Sequence, residues 1–259
     1  MSHEHSSAIY PSLKGKNVFV TGGATGIGQA IVTALYLQGA NVAFVDLLNK
    51  QGNELVEKLQ ALDGGEEILF ECLDVCDHKQ LQSSIDDASR TLGPIDILVN
   101  NVANDNRHHA KDTSYEDWQH CLNVNVNAAF VASQAVYTNM KENRAGAIIN
   151  ISSINALWGP DNMPGYVTAK AGLLGLTKAL AREFGKDGIR VNAISPGWVK
   201  TERQKRLWLT DDAEKEWKKS LCLPEMIEPE EVAHLVLFLA SDQAKKITSQ
   251  NYIIDCGRI

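Results

Sequence analysis

Short, nearly unbroken apolar runs alternate along this chain with longer segments whose apolar residues recur every three or four positions. Residues 17–21, 41–46, 68–73, 95–100, 147–152, 190–195 and 252–255 read as seven strands. Most are dense in β-branched residues and do not alternate polar with apolar, which is the pattern of parallel strands covered on both faces. Residues 26–37, 50–62, 78–92, 115–141, 165–184 and 229–240 carry the helical period between them. Pro229, followed by Glu230 and Glu231, is a good helix start, because proline suits the first turn and acids favour the positive end of the helix dipole. The alternation predicts an α/β fold: one doubly wound, seven-stranded parallel sheet with helices on both faces and its ligand crevice beyond the carboxyl ends of the strands. A short N-terminal extension over 1–14 would precede a single domain over 15–259. The one long irregular stretch, 196–228, is expected to form a lid over a substrate, with a short helix near 211–219.

Composition narrows the setting. A chain of 259 residues with 44% hydrophobic content can bury a sizeable core. No apolar run approaches the ~20 residues that a membrane helix needs. Residues 1–10 hold two histidines and a glutamate but no apolar stretch, so no secretion signal is expected there, and the expected location is cytoplasmic. Cys72, Cys76, Cys121, Cys222 and Cys256 contain no C-x-x-C pair and read as reduced thiols, with no metal site implied. The net charge of −7 serves solubility and argues against general affinity for nucleic acid.

Two groups of residues carry candidate chemistry. The first is the run Thr21-Gly22-Gly23-Ala24-Thr25-Gly26-Ile27-Gly28, where a strand gives way to a helix. Glycines there let the backbone turn tightly and approach a pyrophosphate, whose charge suits the free N–H groups of a helix start. Asp46 ends the second strand, where a carboxylate can accept both hydroxyls of an adenosine ribose and would repel a 2′-phosphate. Thr25 and Leu47 stand where a phosphate-binding cation would be needed, so NAD is the expected cofactor. The second group is Tyr166 and Lys170, thirteen and seventeen residues after Ser153. A phenol is a poor base at neutral pH unless something stabilises its anion. Lys170, four residues on and on the same helix face, could supply a positive charge for that. Tyr166 would then take a hydroxyl proton, with Ser153 hydrogen-bonded to the same substrate oxygen.

The glycine run, Asp46 and the Ser153–Tyr166–Lys170 set, in this order and spacing, resemble the short-chain dehydrogenase/reductase family from about Gly15 to Asp255, and so imply a Rossmann-type fold. The resemblance implies that Asn125, in Asn-Val-Asn-Val-Asn, is a fourth catalytic position whose side chain holds a water relaying protons from Lys170. It implies cofactor contacts from Gly22, Thr25, Gly26, Ile27 and Gly28, and from Asp46, Asp74 and Val75 toward ribose and adenine. Asn101, Tyr166, Lys170, Val199 and Thr201 would serve the nicotinamide side. The segment Val-Asn-Asn-Val-Ala departs from the family's N-N-A-G at Val102 and Ala103. The resemblance also implies a symmetric homotetramer using the fourth and fifth helices.

The substrate side is read from three segments at the strands' carboxyl ends, 104–109, 155–163 and 198–208. Asn104, Arg107, Asn155, Trp198 and Arg203, together with Ser153 and Tyr166, are the substrate-binding candidates; amides, cations and flat rings suit a small polyhydroxylated partner. Asn104-Asp105-Asn106-Arg107-His108 and the run from Pro196 to Gln204 resemble NAD-dependent aldose 1-dehydrogenases of the D-xylose and L-arabinose type. That resemblance implies oxidation of the anomeric carbon of a pentose, 6-deoxyhexose or hexose to a lactone. An acidic sugar derivative such as a deoxy-ketoaldonate, clamped by Arg107 and Arg203, remains an alternative. So does a dinucleotide-sensing regulator without turnover.

Overall fold

All seven expected strands form in the computed structural model, which describes residues 8–62 and 67–259; residues 1–7 of the expected N-terminal extension lie outside that range. The strands are β1 (Asn17–Thr21), β2 (Asn41–Asp46), β3 (Ile68–Cys72), β4 (Ile97–Asn100), β5 (Gly146–Ile151), β6 (Ile189–Pro196) and β7 (Asn251–Ile254). They make one sheet in the order β3-β2-β1-β4-β5-β6-β7, with every pair parallel. Strand order reverses between β1 and β4, so the connections on either side of that pair run away from each other and leave a crevice above it.

Seven longer helices accompany the sheet: α1 (Gly26–Leu37), α2 (Asn49–Gln60), α3 (His78–Leu92), α4 (Tyr115–Leu122), α5 (Ala128–Glu142), α7 (Pro164–Phe184) and α10 (Pro229–Ala240). Short helices α6 (Asn155–Trp158), α8 (Glu202–Leu207) and α9 (Asp211–Lys218) lie above the carboxyl ends of β5 and β6 in the chain. Side chains alternate across each strand, so β1 to β6 feed two cores, whereas edge strand β7 feeds one. Val18, Val20, Val42 and Phe44 pack with Ile31, Leu35, Leu55 and Val236 of α1, α2 and α10. Phe19, Val45, Leu98 and Ile148 face the other way, onto Leu81, Ile85, Ala132, Val136 and Phe184 of α3, α5 and α7.

Most element ends fall within two residues of the sequence expectation, and the differences have local causes. β4 starts at Ile97 rather than at 95. The Asp96 carboxylate instead clasps the start of β1, accepting from the Asn17 N–H and Lys16 Nζ at 3.0 Å each. The Pro229 helix start is completed by a capping box between Glu228 and Glu231. The expected single helix over 115–141 is interrupted by a π turn at Asn123–Asn127. Helices α6 and α8 were not expected, because four to six residues are too few for a 3.6-residue period to show. Among the described residues no helix is long and apolar enough to cross a membrane.

The β3 edge depends on one close approach. Phe70 stacks on Phe44 with ring centroids 4.9 Å apart, and α2 lies on the Phe70 ring through Gly52. A Cβ at Gly52 would overlap that ring. Gly52→Ala should therefore lose about 1–3 kcal/mol of stability through overpacking, despite alanine's better helix propensity. A urea melt with an unchanged or raised midpoint would show that α2 does not bear on Phe70 as described.

Candidate active site

The glycine run crosses the mouth of the crevice. Gly22 leaves β1 in the left-handed region at φ +70, and Gly26 repeats this at φ +56 where α1 begins. Thr25 precedes α1 in extended conformation without capping it through its side chain, so the first-turn N–H groups have no side-chain acceptor. A Cβ at Gly28 would collide with the Gly22 carbonyl, and one at Gly22 would stand 2.9 Å from Val102 Cα. Only glycine fits this cradle, and what remains exposed to the crevice is backbone N–H at a helix N-terminus, which suits a pyrophosphate. From the opposite wall, Thr201 comes within 3.1 Å of where a Gly26 Cβ would be, so the 196–201 segment faces the same loop. Val199 is held there by a parallel bridge to Ile227.

Asp46 accepts from the Ala24 and Leu48 N–H groups, 3.0 Å each, one per oxygen. Both oxygens keep a further lone pair for ribose hydroxyls. Asp74 is similarly fixed, accepting from the Cys76 N–H at 2.9 Å, beside a buried Val75. Asn101 is tied to the glycine loop. Its amide donates to the Thr21 and Gly22 carbonyls at 3.2 and 2.8 Å, and its backbone N–H donates to Thr21 Oγ1 at 3.1 Å. It props the glycine loop from below. The adjacent Ala103 is exposed, so the departure from glycine is accommodated without distortion of that prop.

Ser153, Tyr166, Lys170 and Asn125 are gathered at the carboxyl end of β5, all of them at least nine-tenths buried. Lys170 Nζ donates to the Ile151 carbonyl at 2.8 Å and lies 5.7 Å from the centre of the Tyr166 ring. Burial lowers the Lys170 ammonium to about 8, against opposing pulls from Asp105 and Cys121. Burial also pushes the Tyr166 phenol well up, and the Asp105 carboxylate pushes it further; a hydrogen bond with Ser153 works the other way. This corrects the sequence expectation for the protein on its own. In the protein alone, burial and the Asp105 carboxylate outweigh what Lys170 offers the phenolate, because the ammonium is directed at a carbonyl.

Asn125 sits in the π turn, and both protons of its side-chain amide are engaged. Its oxygen accepts from the Asn104 N–H at 3.0 Å, and its amide donates to the Asn104 and Cys121 carbonyls at 3.0 and 2.9 Å. Both amide protons are used, so the side chain could hold the expected water only through the second lone pair of its oxygen. The extra residue in the turn explains the break in the helix: it swings Asn125 toward the loop after β4 and pins it. π turns inserted in α-helices occur often at functional positions for this reason.

The substrate candidates come together above these residues. Arg203 donates to Asp105 at 3.1 Å and to Asn106 at 2.7 Å. Arg107 lies over the Trp208 ring at 4.4 Å. Trp198 donates to Gln204 at 2.8 Å and meets Trp217 edge-on at 5.4 Å. Asn155 rests on Ser153 Oγ through its N–H at 3.1 Å. Three features were not anticipated: the charge of Asp105 acting on Tyr166 and Lys170, His108 Nε2 accepting from the Gly165 N–H at 3.0 Å, and Arg258 lying over both Trp158 and Trp217. Each joins segments far apart in the chain, and only the Asn-Asp-Asn-Arg-His run hinted at the first two.

A glycine cradle facing a hydroxyl, a phenol and a buried ammonium across the mouth of a doubly wound sheet can bind a dinucleotide and move a proton at the same place. This chain belongs to the short-chain dehydrogenase/reductase family: the family model described as "Enoyl-(Acyl carrier protein) reductase" matches residues 22–258. It is therefore an oxidoreductase of CH–OH groups that uses a nicotinamide cofactor. A probable galactose dehydrogenase of Rhizobium meliloti is 41% identical over 251 residues, 97% of this chain and 98% of that one. A D-xylose 1-dehydrogenase of Caulobacter vibrioides is 43% identical over 252 residues, 97% of this chain and 99% of that one. The solved structure of a short-chain dehydrogenase/reductase mutant from Serratia marcescens superimposes with a TM-score of 0.88 at 34% identity, covering 95% of this chain and 99% of that chain.

The Asn125 anchor can be tested without turnover. Asn125→Ala would strip the Asn104 N–H and carbonyl of their partners, at a cost of about 1–3 kcal/mol. Amide exchange over residues 104–108 should accelerate while the sheet keeps its protection. Unchanged exchange in that loop would mean that Asn125 does not hold it.

Proposed function

We propose that this protein oxidises an aldose at its anomeric carbon with NAD, giving an aldonolactone. The observation that carries the choice of a neutral sugar is the state of the two arginines. An acidic substrate would need a guanidinium to face its carboxylate, whereas Arg203 is already paired with Asp105 and Arg107 would have to serve from its place over Trp208. The names of the relatives, galactose dehydrogenase and D-xylose 1-dehydrogenase, support the same reading.

In this proposal Gly22, Thr25, Gly26, Ile27 and Gly28 hold the pyrophosphate side of NAD, and Asp46 takes the adenosine ribose. Asp74 and Val75 line the adenine, Val199 and Thr201 serve the nicotinamide side, and Asn101 supports the loop. When bound, the nicotinamide supplies the hydride acceptor. Ser153 Oγ holds the sugar's anomeric oxygen, and Tyr166 Oη takes its proton. Lys170 stabilises the phenolate and passes the proton outward. The backbone of the π turn at Asn125, rather than its occupied side-chain amide, holds the relaying water. Because the phenol is pushed up in the protein alone, its deprotonation depends on the positive charge that the oxidised cofactor brings. Asn104, Asn155, Trp198 and the two arginines frame the sugar, and residues 196–228 act as its lid.

The same reading places the protein in the cytoplasm as a homotetramer built on α4, α5 and α7; the exposed Tyr115 and Phe130 on the first two of these helices support that surface. Sedimentation should give four times the monomer mass, and a monomer would remove the tetramer from the proposal.

NADH formation from a panel of neutral aldoses and aldonates tests the substrate class; turnover confined to the aldonates would overturn it. kcat/KM with NAD should exceed that with NADP by ~100-fold, roughly 3 kcal/mol, from repulsion at Asp46 and lost ribose bonds. Equal use of both would remove that role from Asp46. Tyr166→Phe should fold normally and lose turnover by orders of magnitude. In the wild type, oxidation should rise with pH, because the phenolate is the active base and loss of its proton fills the active state.

A further inference from the structure

The segment after β7 turns back onto the 196–228 stretch. The buried Asp255 carboxylate makes the bend, its Oδ1 accepting from the Gly257 N–H at 2.9 Å and its Oδ2 from the Ile259 N–H at 3.0 Å. The Leu223 N–H donates to the Cys256 carbonyl at 3.0 Å, and a Cβ at Gly257 would overlap the Cys222 side chain, so the segment lies tight against the chain just after α9. The bend presents Arg258. Its guanidinium lies 4.7 Å from the centre of the Trp158 ring on α6 and 5.0 Å from that of Trp217 on α9. Its Nε is buried with no hydrogen-bond partner, so the two π faces are what hold the cation.

α9 has little else to keep it in place. None of its eight residues is buried, and the run Asp-Asp-Ala-Glu-Lys-Glu-Trp-Lys has no apolar face of any width. A helix so short and so polar does not persist in water by itself. Glu214 ties it to Lys200 at 3.6 Å, through an ion pair that solvent reaches. Trp217 is the one aromatic side chain on α9, and besides Arg258 it meets Trp198 edge-on at 5.4 Å. Trp198 in turn orients Gln204 on α8. The α6 end of the contact is firm: the Trp158 N–H donates to the carbonyl of buried Ile154 at 2.9 Å, and the Asn155 N–H rests on Ser153 Oγ.

We propose that Arg258 is a positioning residue: by lying on Trp158 and Trp217 together, it latches α9 to α6 and holds the lid closed over the sugar. This rests on the reading of residues 196–228 as the lid of a sugar site. Without the guanidinium, the docked position of α9 becomes the minor one, and Trp198 loses the ring that backs it. The contacts of Arg258 are with Trp158 and Trp217, not with Ser153, Tyr166 or Lys170. Loss of the latch therefore weakens sugar binding, because the sugar must then draw the lid down by its own contacts, and leaves turnover at saturation largely intact.

The test compares Arg258→Gln, Trp217→Leu and the double variant, using whichever aldose or aldonate the wild type oxidises best. Arg258→Gln should raise the KM for that compound by about ten-fold while kcat stays within ~two-fold, since apparent affinity falls with the closed fraction. Trp217→Leu should raise it at least as far. The double variant should match Trp217→Leu, because without that ring Arg258 has nothing on α9 to hold. Amide exchange of α9, measured with neither cofactor nor sugar present, should be faster in Arg258→Gln while the sheet keeps its protection. An unchanged KM, a loss confined to kcat, additive effects in the double variant, unchanged exchange in α9, or faster exchange spread through the sheet would each overturn the proposal. Failure of the wider reading looks different. If the wild type oxidises aldonates alone, or nothing on the panel, the aldose reading falls, and exchange in α9 still decides whether Arg258 is its latch.

Discussion

An ammonium buried to 1% exposure is expensive to place in a protein core, and the arrangement around Lys170 meets that cost. Desolvation favours the neutral amine, and the Ile151 carbonyl, offered from the end of β5, opposes it with a hydrogen bond. That contact fixes the rotation of α7 against the sheet, and with it the side of the helix on which Tyr166 stands. Ser152 Oγ, donating to the Lys170 carbonyl at 2.9 Å, secures the same junction from the strand side. A chain of buried amides lies below it: Asn100 donates to Asn150 at 2.8 Å, and Asn150 to Thr177 on α7 at 2.9 Å. Tyr166 and Lys170 therefore stand on a polar scaffold inside the sheet.

Much of the fold could be read before any coordinates. Continuous apolar runs meant strands covered on both faces, and glycines flanking the first strand–helix junction meant a close-packed turn. Both readings depend on contacts within one strand–helix unit, and the residues of such a unit are neighbours in sequence. Tyr166 and Lys170 were legible for a similar reason, since four residues on a helix fix two side chains to one face.

What stayed hidden depends on distant partners. The π turn follows from Asn125 reaching across to Asn104, and Asn101 props the glycine loop because Gly22 lies next to it only once β4 has paired with β1. The local sequence of 203–204 reads as a short polar helix, and only the docked structure shows that it closes on Asp105. The upward direction of the Tyr166 shift in the protein alone was out of reach for the same reason. Spacing places a cation near the phenol, but it reveals neither the dryness of the pocket nor a carboxylate arriving from another segment.

The separation between β1 and β4 also shapes how the protein comes into being. Asn101 and Thr21 are 80 residues apart in the chain, and every strand pair is parallel, so each pairing closes a long loop. On a ribosome, β1, α1 and the glycine loop emerge well before the strand that props them. A nascent chain that ends before β4 therefore presents an unsupported loop and cannot use dinucleotide binding to guide its own folding. Cofactor affinity arises only after the centre of the sheet is assembled, so a ligand can stabilise this protein once folded but cannot template its first steps.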